Sequence, residues 1–406
     1  MANVFGSDVH KQKYMEGVQD ELRDSIPMQS VSTVITDNVE YIHNRYGDDE
    51  SAENSSDSTY AVSDATYTDD AKLIDKTAVK SHRISYKDMA RQGFDIAVDL
   101  VDRHGFALAE AVHRHSAQTV YQLANGIVDN EVLNGSASAL TPITLSNTNV
   151  DDVGATITQV LQEREAYGGG TPFAMMSPKS AKKFNLFAMG AGFAVSDNAL
   201  RDGLFRINHG HLFGLDTIIT NEVPRSVDLT FSGQPSDADT FTMAINGTTV
   251  TFTLKNTPAL AGAIDIGADA EGTIDNIVTA INAASGQGVT TGAGTTYIAL
   301  SAANARLLKN AGVRAVKVSA TVLRITTFRY VTIAESLTNV TLGTYIENIL
   351  CGMRGAPVIA LPSNGMHADE TKPEGYLGKE ITTSQEHDAH VFYKNRDKLV
   401  RLLVAA

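Results

Sequence analysis

A single cysteine, Cys351, stands in 406 residues, so no internal disulfide can form and a multi-cysteine metal site is excluded. Nowhere does the chain approach the run of roughly 18 apolar residues that a membrane span needs. Its first residues, MANVFGSDVHKQKYMEG, lack the apolar core of a signal peptide. A soluble protein made in a reducing cytosol, with no membrane partner, is the expectation. Basic residues are also in short supply: 33 Lys and Arg face 47 Asp and Glu, a formal net charge of −14. Such a chain is a poor general polyanion binder, because counterion release needs clustered Lys and Arg. Residues 1–90 alone carry 17 acidic against 9 basic side chains, which is more than half of the excess acid.

Catalytic motifs are missing as well. The chain holds no GxxxxGK phosphate loop, no HExxH, no GxSxG and no GxGxxG between a strand and a helix. Gly168-Gly169-Gly170 has no lysine after it and reads as a helix terminator, not a phosphate cradle. His113 and His115 are two apart in a helical pattern and point to different faces. His209 and His211 would share a face if extended, but a third ligand is wanting and a turn with solvated imidazoles is the simpler reading. Asp48, Asp49, Glu50 and Glu53 lack the spacing and central glycine of a calcium loop. Ser177, Asp197 and the histidines form no recognisable nucleophile motif. No catalytic, metal or cofactor site is expected, and the informative features are architectural.

The clearest of these is DTFTMAINGTTVTFTLKN, Asp239 to Asn256. Phe241, Met243 and Ile245 alternate with polar or small residues, Val250, Phe252 and Leu254 do the same, and Asn246-Gly247 favours the type I′ turn between them. A two-residue loop pairs Ile245 with Thr248, Met243 with Val250 and Phe241 with Phe252, putting the apolar side chains largely on one face. This hairpin opens a stretch, 227–343, dominated by Thr, Ala, Gly and Asn, with 7 basic and 8 acidic residues. At that size it makes a domain of its own. Within it, Ile274, Ile277, Val278 and Ile281 mark one helix with Thr273 as its cap, while TTYIALSA, AVKVSATVLRITT and YVTIAESLTNVTL read as strands.

Around this stretch the character is mixed. The polar, acidic stretch from Tyr41 to Thr68 reads as disordered or as a long solvated excursion in preference to an ordered binding loop. The strand-like pieces Tyr60-Ala61-Val62 and Leu73-Ile74 around it could pair into a two-stranded arm. Apolar residues from Leu108 to Val128 recur at helical spacing and predict one long helix over Asp102 to Asn134, weakened near its start by Gly105. A second helix is signalled by Asn149 as cap, Asp151 and Asp152 in its first turn, and Val153, Ile157, Val160 and Leu161 on one face. PFAMM predicts a short strand, Ser177-Pro178 a helix start, and FGLDTIITNEVP a buried strand. YIENILCGMRGAPVIALP predicts a helix or turn feeding a strand from Ala356 to Leu361, and HDAHVFYKN and KLVRLLVAA predict two strands joined by a tight hairpin.

In this order the parts resemble the major capsid proteins of tailed phages of the Hong Kong 97 type. YTDDAKLIDKTAVKSHRISYKDM is similar to the returning strand and base of that family's extended loop, and DRHGFALAEAVHRHSAQTVYQLANGIV to its spine helix. FAMMSPKSAKKF with FGLDTIITNEVP resembles the axial domain; IENILCGMRGAPVIALP and HDAHVFYKNRDKLVRLLVAA resemble the axial return and closing peripheral strands. The resemblance implies an α+β capsid fold: an N-terminal arm over 1–40, the extended loop and its base over 41–90, and the spine helix, peripheral and first axial segments over 91–226. An inserted β-rich domain over 227–343 and the axial return with the closing strands over 344–406 complete it. It further implies self-assembly into pentamers, hexamers and an icosahedral shell around double-stranded DNA, made in the host cytoplasm and found in the virion.

Implied partners are a separate scaffolding protein, since only about 40 residues precede the excursion, a portal, a decoration protein, and packaged DNA touched only nonspecifically. Tyr60, Val62, Leu73 and Ile74 are the candidate assembly contacts on the arm. Lys72, Lys76, Lys80 and Asn395 are the residue types of the prototype's covalent crosslink in broadly the right segments, but no motif matches them and no crosslink is expected. Rival readings are a bacterial encapsulin-like shell, a phage tail or decoration protein, and a hydrolase without a recognisable motif.

Overall fold

The computed structural model describes residues 8–24, 26–36, 40–46, 67–87, 96–135, 140–146, 148–164, 166, 171–190, 211–212, 215–285 and 296–405. It is a mixture of helices and strands forming two compact units, one of 1–126, 161–173 and 352–400, the other of 127–160, 174–351 and 401–406. No helix among the described residues is long and apolar enough to cross a membrane.

The first unit is built on one long strand, Gly378–His390. It pairs antiparallel with Lys76–Ser85, with Met366–Thr371 and with Val358–Ala360, and Thr33–Ile35 adds to Val358–Ala360 in parallel. Alternate residues of the long strand, Ile381, Thr383, Gln385 and His387, are buried, as the period of two requires of a sheet covered on one face. The cover is the helix Ile96–Leu123, with Leu100, Leu108, Val112 and Val120 buried. A second helix, Asp8–Asp24, lies on the first through Tyr14, Val18 and Leu22 at four-residue spacing. Gly105, which the sequence marks as a weak point, sits in the middle of the long helix where the two helices touch: a Cβ there would stand 2.7 Å from Glu21 Cβ.

The long helix differs from its prediction at both ends. It begins at Ile96 and stops at Leu123; Gly126–Val128 is a strand and Asn130–Asn134 a separate short helix capped by Asp129. The break comes from a close approach, because a Cβ on Gly126 would lie 2.9 Å from the Leu399 carbonyl and 2.7 Å from Val400 Cγ2. The arm also differs in its pairing. Its strands are Glu40–Tyr46 and Tyr67–Leu73, in register from Glu40 with Leu73 to Tyr46 with Tyr67, and Ile74 lies past the strand's end.

In the second unit the strands join a ten-stranded sheet whose path runs Arg314–Ser319, Val322–Thr327, Arg225–Phe231, Ile346–Met353, Pro172–Met176, Leu215–Ile219, His211–Leu212. Ile346–Met353 is a strand where a helix or turn was predicted; from Glu347 onward every residue is buried, so the alternation that announces a half-buried strand is missing. Leu215–Ile219 is half-buried beyond Leu215, less covered than its sequence suggests. The predicted tight hairpin near the C-terminus is a 3-10 turn, Tyr393–Lys398, and the strands beside it belong to different sheets.

Within 227–343 a four-stranded sheet orders Ala263–Asp265, Thr248–Lys255, Thr240–Ile245 and Thr332–Glu335. Its apolar residues pack with Ile274, Ile277 and Ile281 of the helix Ala270–Ser285 and with Val227, Leu229, Leu323 and Ile325 into one continuous core. Asp269 caps that helix, accepting from Gly272 N at 2.7 Å; Thr273 sits inside the first turn with its hydroxyl bonded back to the Asp269 carbonyl. TTYIALSA, which reads as a strand, makes a single antiparallel bridge from Tyr297 to Ile264, with Ile298 N donating to the Ala263 carbonyl. At its end begins a second helix with no counterpart in the sequence reading, Ala302–Asn310, capped by Ser301. Similarly, the Asn149 side chain reaches back to accept from Ser146 N, and the helix it precedes, Val150–Glu163, stops short of the glycine run.

Candidate functional site

The arm is tied to the body of the first unit at its root. Along Tyr67–Leu73, neighbouring side chains point to opposite faces, so Leu73 is left 58% exposed while Lys72 turns toward the sheet. Lys72 Nζ lies 3.2 Å from Asp388 Oδ2, and His115 Nε2, from the long helix, lies 3.1 Å from Asp388 Oδ1, which also accepts from Ala389 N at 2.7 Å. Burial alone would raise the Asp388 carboxyl, but these bonds outweigh it and hold the group well below the usual carboxylate range. His387 meets the His115 ring edge-on at 5.4 Å. Of the predicted arm contacts, Tyr60 and Val62 lie outside the described residues, Leu73 is exposed, and Ile74 is half-buried against Val358, Ala360 and Phe392.

A second polar knot, which no sequence pattern announces, lies deeper in the same unit. Tyr14 Oη is 2.8 Å from His104 Nδ1 and 3.0 Å from Thr383 Oγ1; His104 Nδ1 is 2.7 Å from that hydroxyl, and His104 Nε2 is 2.6 Å from His82 Nδ1. Two helices and two strands meet there. Burial, then the nearby His82 and Lys80, lowers the His104 pKa to about 4. His104 is separated from His82, Tyr14 and Thr383 by 22, 90 and 279 positions, which is why local spacing gives no hint of it.

The second unit carries the predicted hairpin. Phe241 faces Phe252, Met243 faces Val250 and Ile245 faces Thr248, and Phe241, Met243, Ile245, Val250, Phe252 and Leu254 are all buried. Asn246 and Gly247 take φ of 49° and 80°, the positive values the turn requires. The two phenylalanine rings stack with centroids 4.9 Å apart. An apolar cavity of about 160 Å³ lies beside this hairpin, lined by Phe252, Ile264, Ala280, Ala284, Tyr297 and Leu300 among others.

Elsewhere in that unit the nucleophile types are occupied. Ser177 Oγ donates to Glu347 Oε2 and Ser180 Oγ to Glu347 Oε1, both at 2.8 Å, while Ser180 N donates back to Ser177 Oγ at 3.3 Å. Ser177 thus caps the helix Pro178–Gly190, and the buried Glu347 carboxylate sits at that helix's positive end. Arg225 stands 3.7 Å from Glu347 and donates to the Phe328 carbonyl at 2.5 Å. Complete burial pushes the Cys351 thiol up to about 12, which suppresses the reactive thiolate. Among the described residues no group of three or more His, Cys, Asp or Glu is arranged to hold a metal ion. Asp197 and His209 lie outside the described residues; His211 is in a two-residue strand.

No family model matches the chain, and no curated protein matches it. Among solved structures it is similar to the capsid of the cyanophage P-SCSP1u, at 11% identity over 93% of this chain and 88% of that one, with a TM-score of 0.44. The capsid of Ralstonia phage GP4 gives 11% identity, coverage of 93% and 88%, and a TM-score of 0.43. A virus-like particle from Pyrococcus furiosus gives 10% identity, coverage of 96% and 98%, and a TM-score of 0.41. All three scores lie below 0.5.

Proposed function

We propose that the chain is a major capsid protein of the Hong Kong 97-like fold, which self-assembles through pentamers and hexamers into the icosahedral shell around the double-stranded DNA of a tailed phage. The observation that carries this reading is the sequence of parts in the first unit. A helix at the N-terminal end, a two-stranded arm and a long helix laid on a sheet with one dominant strand follow each other in the order of N-arm, extended loop, spine helix and peripheral domain. The second unit, with its strand, helix and strand over Pro172–Ile219, takes the axial role. Residues 227–343 are the inserted module, whose core draws on residues of that stretch.

Assembly, not turnover, is the mechanism. The knot of Lys72, His115 and Asp388 gives the arm a fixed root, from which Leu73 meets a neighbouring copy, and Tyr60 and Val62 are the further contacts that the sequence nominates. Ile74 is partly engaged within its own subunit and contributes less. Each contact is modest, and many engaged at once in a closed shell sum to a stable particle. A separate scaffolding protein, a portal and a decoration protein complete the assembly in the host cytoplasm. With a net charge of −14 the chain meets DNA only nonspecifically.

Sedimentation of the purified chain, alone and with a candidate scaffolding protein, tests this reading. Species of five or six copies and larger closed particles are expected. A chain that sediments as a monomer at every concentration, with and without scaffold, would reject it.

A further inference from the structure

The long helix Ile96–Leu123 meets its sheet through two histidine-on-histidine contacts. His104 of the helix stacks on His82 of Lys76–Ser85 with centroids 4.9 Å apart, and His115 of the helix meets His387 of Gly378–His390 at 5.4 Å. The two helix positions are eleven residues, or about three turns, apart. In each pair at least one member is almost fully enclosed, with His104 at 0% and His387 at 4% exposure. The seam thus places an ionisable base against an ionisable base twice, where water cannot screen a charge.

The groups facing each pair decide what a proton would do. Around His104 stand the neutral hydroxyls of Tyr14 and Thr383, the imidazole of His82 and, from the same strand, the cation of Lys80. Glu21 of the N-terminal helix packs its methylenes on Gly105. The 3-10 turn Pro27–Ser30, also against the helix, carries no ionisable side chain. Around His387 stand His115, Lys76 directly across the strand pair, and Asp388, whose carboxylate is already held by His115 and Lys72. Lys379, further along the same strand, is paired with Glu370. At His104 an added proton therefore meets hydroxyls, an imidazole and the Lys80 cation. At His387 it meets His115 and Lys76, which oppose it, and the Asp388 carboxylate, which favours it but is shared with His115 and Lys72. Asp75 is engaged by Lys76 and Asp388.

We propose that these two histidine pairs make the seam between the long helix and its sheet acid-sensitive, so that protonation of His104 and His387 releases the helix from the sheet. Burial first, and then the partner histidine, lowers both groups from the ordinary 6.5 to about 4. A base whose folded pKa is depressed stays neutral in the packed state and takes up its proton on opening. The stability it supports is complete above about pH 6.5 and is lost as pH falls from there toward about 4. By pH 5.5 the opening equilibrium should move about tenfold per site, or on the order of a hundredfold for the two.

Hydrogen exchange of the full chain at pH 7.5 and 5.5, corrected for the intrinsic effect of pH on amide exchange, tests this. Protection over 96–123 should fall on the order of a hundredfold in the natural protein, about tenfold in His104→Gln, and little in His104→Gln/His387→Gln. The hairpin Asp239 to Asn256, which contains no histidine, serves as internal control and should keep its protection. An equal fall in the double variant, or an equal fall in the control hairpin, would overturn the proposal. Should the double variant not fold, imidazole titration of the natural protein by NMR decides: His104 and His387 neutral at pH 5.5 supports the proposal, and ordinary titration near 6.5 overturns it.

Discussion

Lys72, at the root of the arm, stands 3.2 Å from the carboxylate of Asp388, on the long central strand of the first unit's sheet. Asp388 is 1% exposed and Lys72 about a third exposed, so the two ends of the contact are unequal. Removing the buried partner leaves His115 and Lys72 without their anion. Asp388→Ala should cost about 3–5 kcal/mol, and Lys72→Ala about 1 kcal/mol or less, in denaturant unfolding. Because the folded-state pKa of Asp388 is depressed, its contribution is present above the ordinary carboxylate value near 4 and lost as pH falls below it. That window lies beneath the one set by His104 and His387. Equal costs for the two variants would contradict the assignment of Asp388 as the centre of the knot.

Gly105→Ala offers a test of sign. In an exposed helix interior, alanine improves on glycine by about 1 kcal/mol. Here the added Cβ would stand 2.7 Å from Glu21 Cβ and 3.2 Å from the Val18 carbonyl, so the helices must part. A net loss of about 1–3 kcal/mol is expected, read as a lowered thermal midpoint. A raised midpoint would show that the N-terminal helix does not press on the long one as described.

For the hairpin in 227–343, position and packing separate cleanly. Gly247 has φ of 80° and nothing within 4 Å of a Cβ, so Gly247→Ala pays only for backbone strain, about 1–2 kcal/mol. Phe252→Ala removes a ring stacked on Phe241 and enlarges the neighbouring cavity, and should cost about 3–5 kcal/mol. A Phe252 variant no less stable than the Gly247 variant would argue against a close-packed core there.

What the sequence disclosed and what it hid divide along sequence separation. Asn246-Gly247 and the alternating residues beside it lie within a dozen positions, and their register was open to local reading. The stop at Leu123 was not, because Gly126 is pinned by Leu399 and Val400, more than 270 positions away. Ile346–Met353 escaped for a related reason: Glu347 and Asn348 are buried in a strand, the former satisfied by Ser177 and Ser180, so polarity there marks a distant partner and not a surface. The histidine seam was wholly illegible, since His113 and His115 drew attention as a pair while the partner of His115 is Asp388 and that of His104 is His82.

If 227–343 is an inserted module, its core should survive removal from the host. The buried cluster runs from Val227 to Leu337, with Val340, Leu342 and Tyr345 packed at its border, while Arg225 and Ser226 pair with Glu347 and Ile346 outside it. A fragment of 225–345 is expected to unfold cooperatively on its own with native-like circular dichroism. Loss of cooperative unfolding would mean that the host sheet is needed to complete the core.

Electron microscopy of the purified protein, expressed with a candidate scaffolding protein, bears most directly on the capsid assignment. Uniform polyhedral shells, or capsomers of five and six copies, are the predicted images. Fields of monomers that never assemble, with the chain folded and the scaffold present, would contradict it.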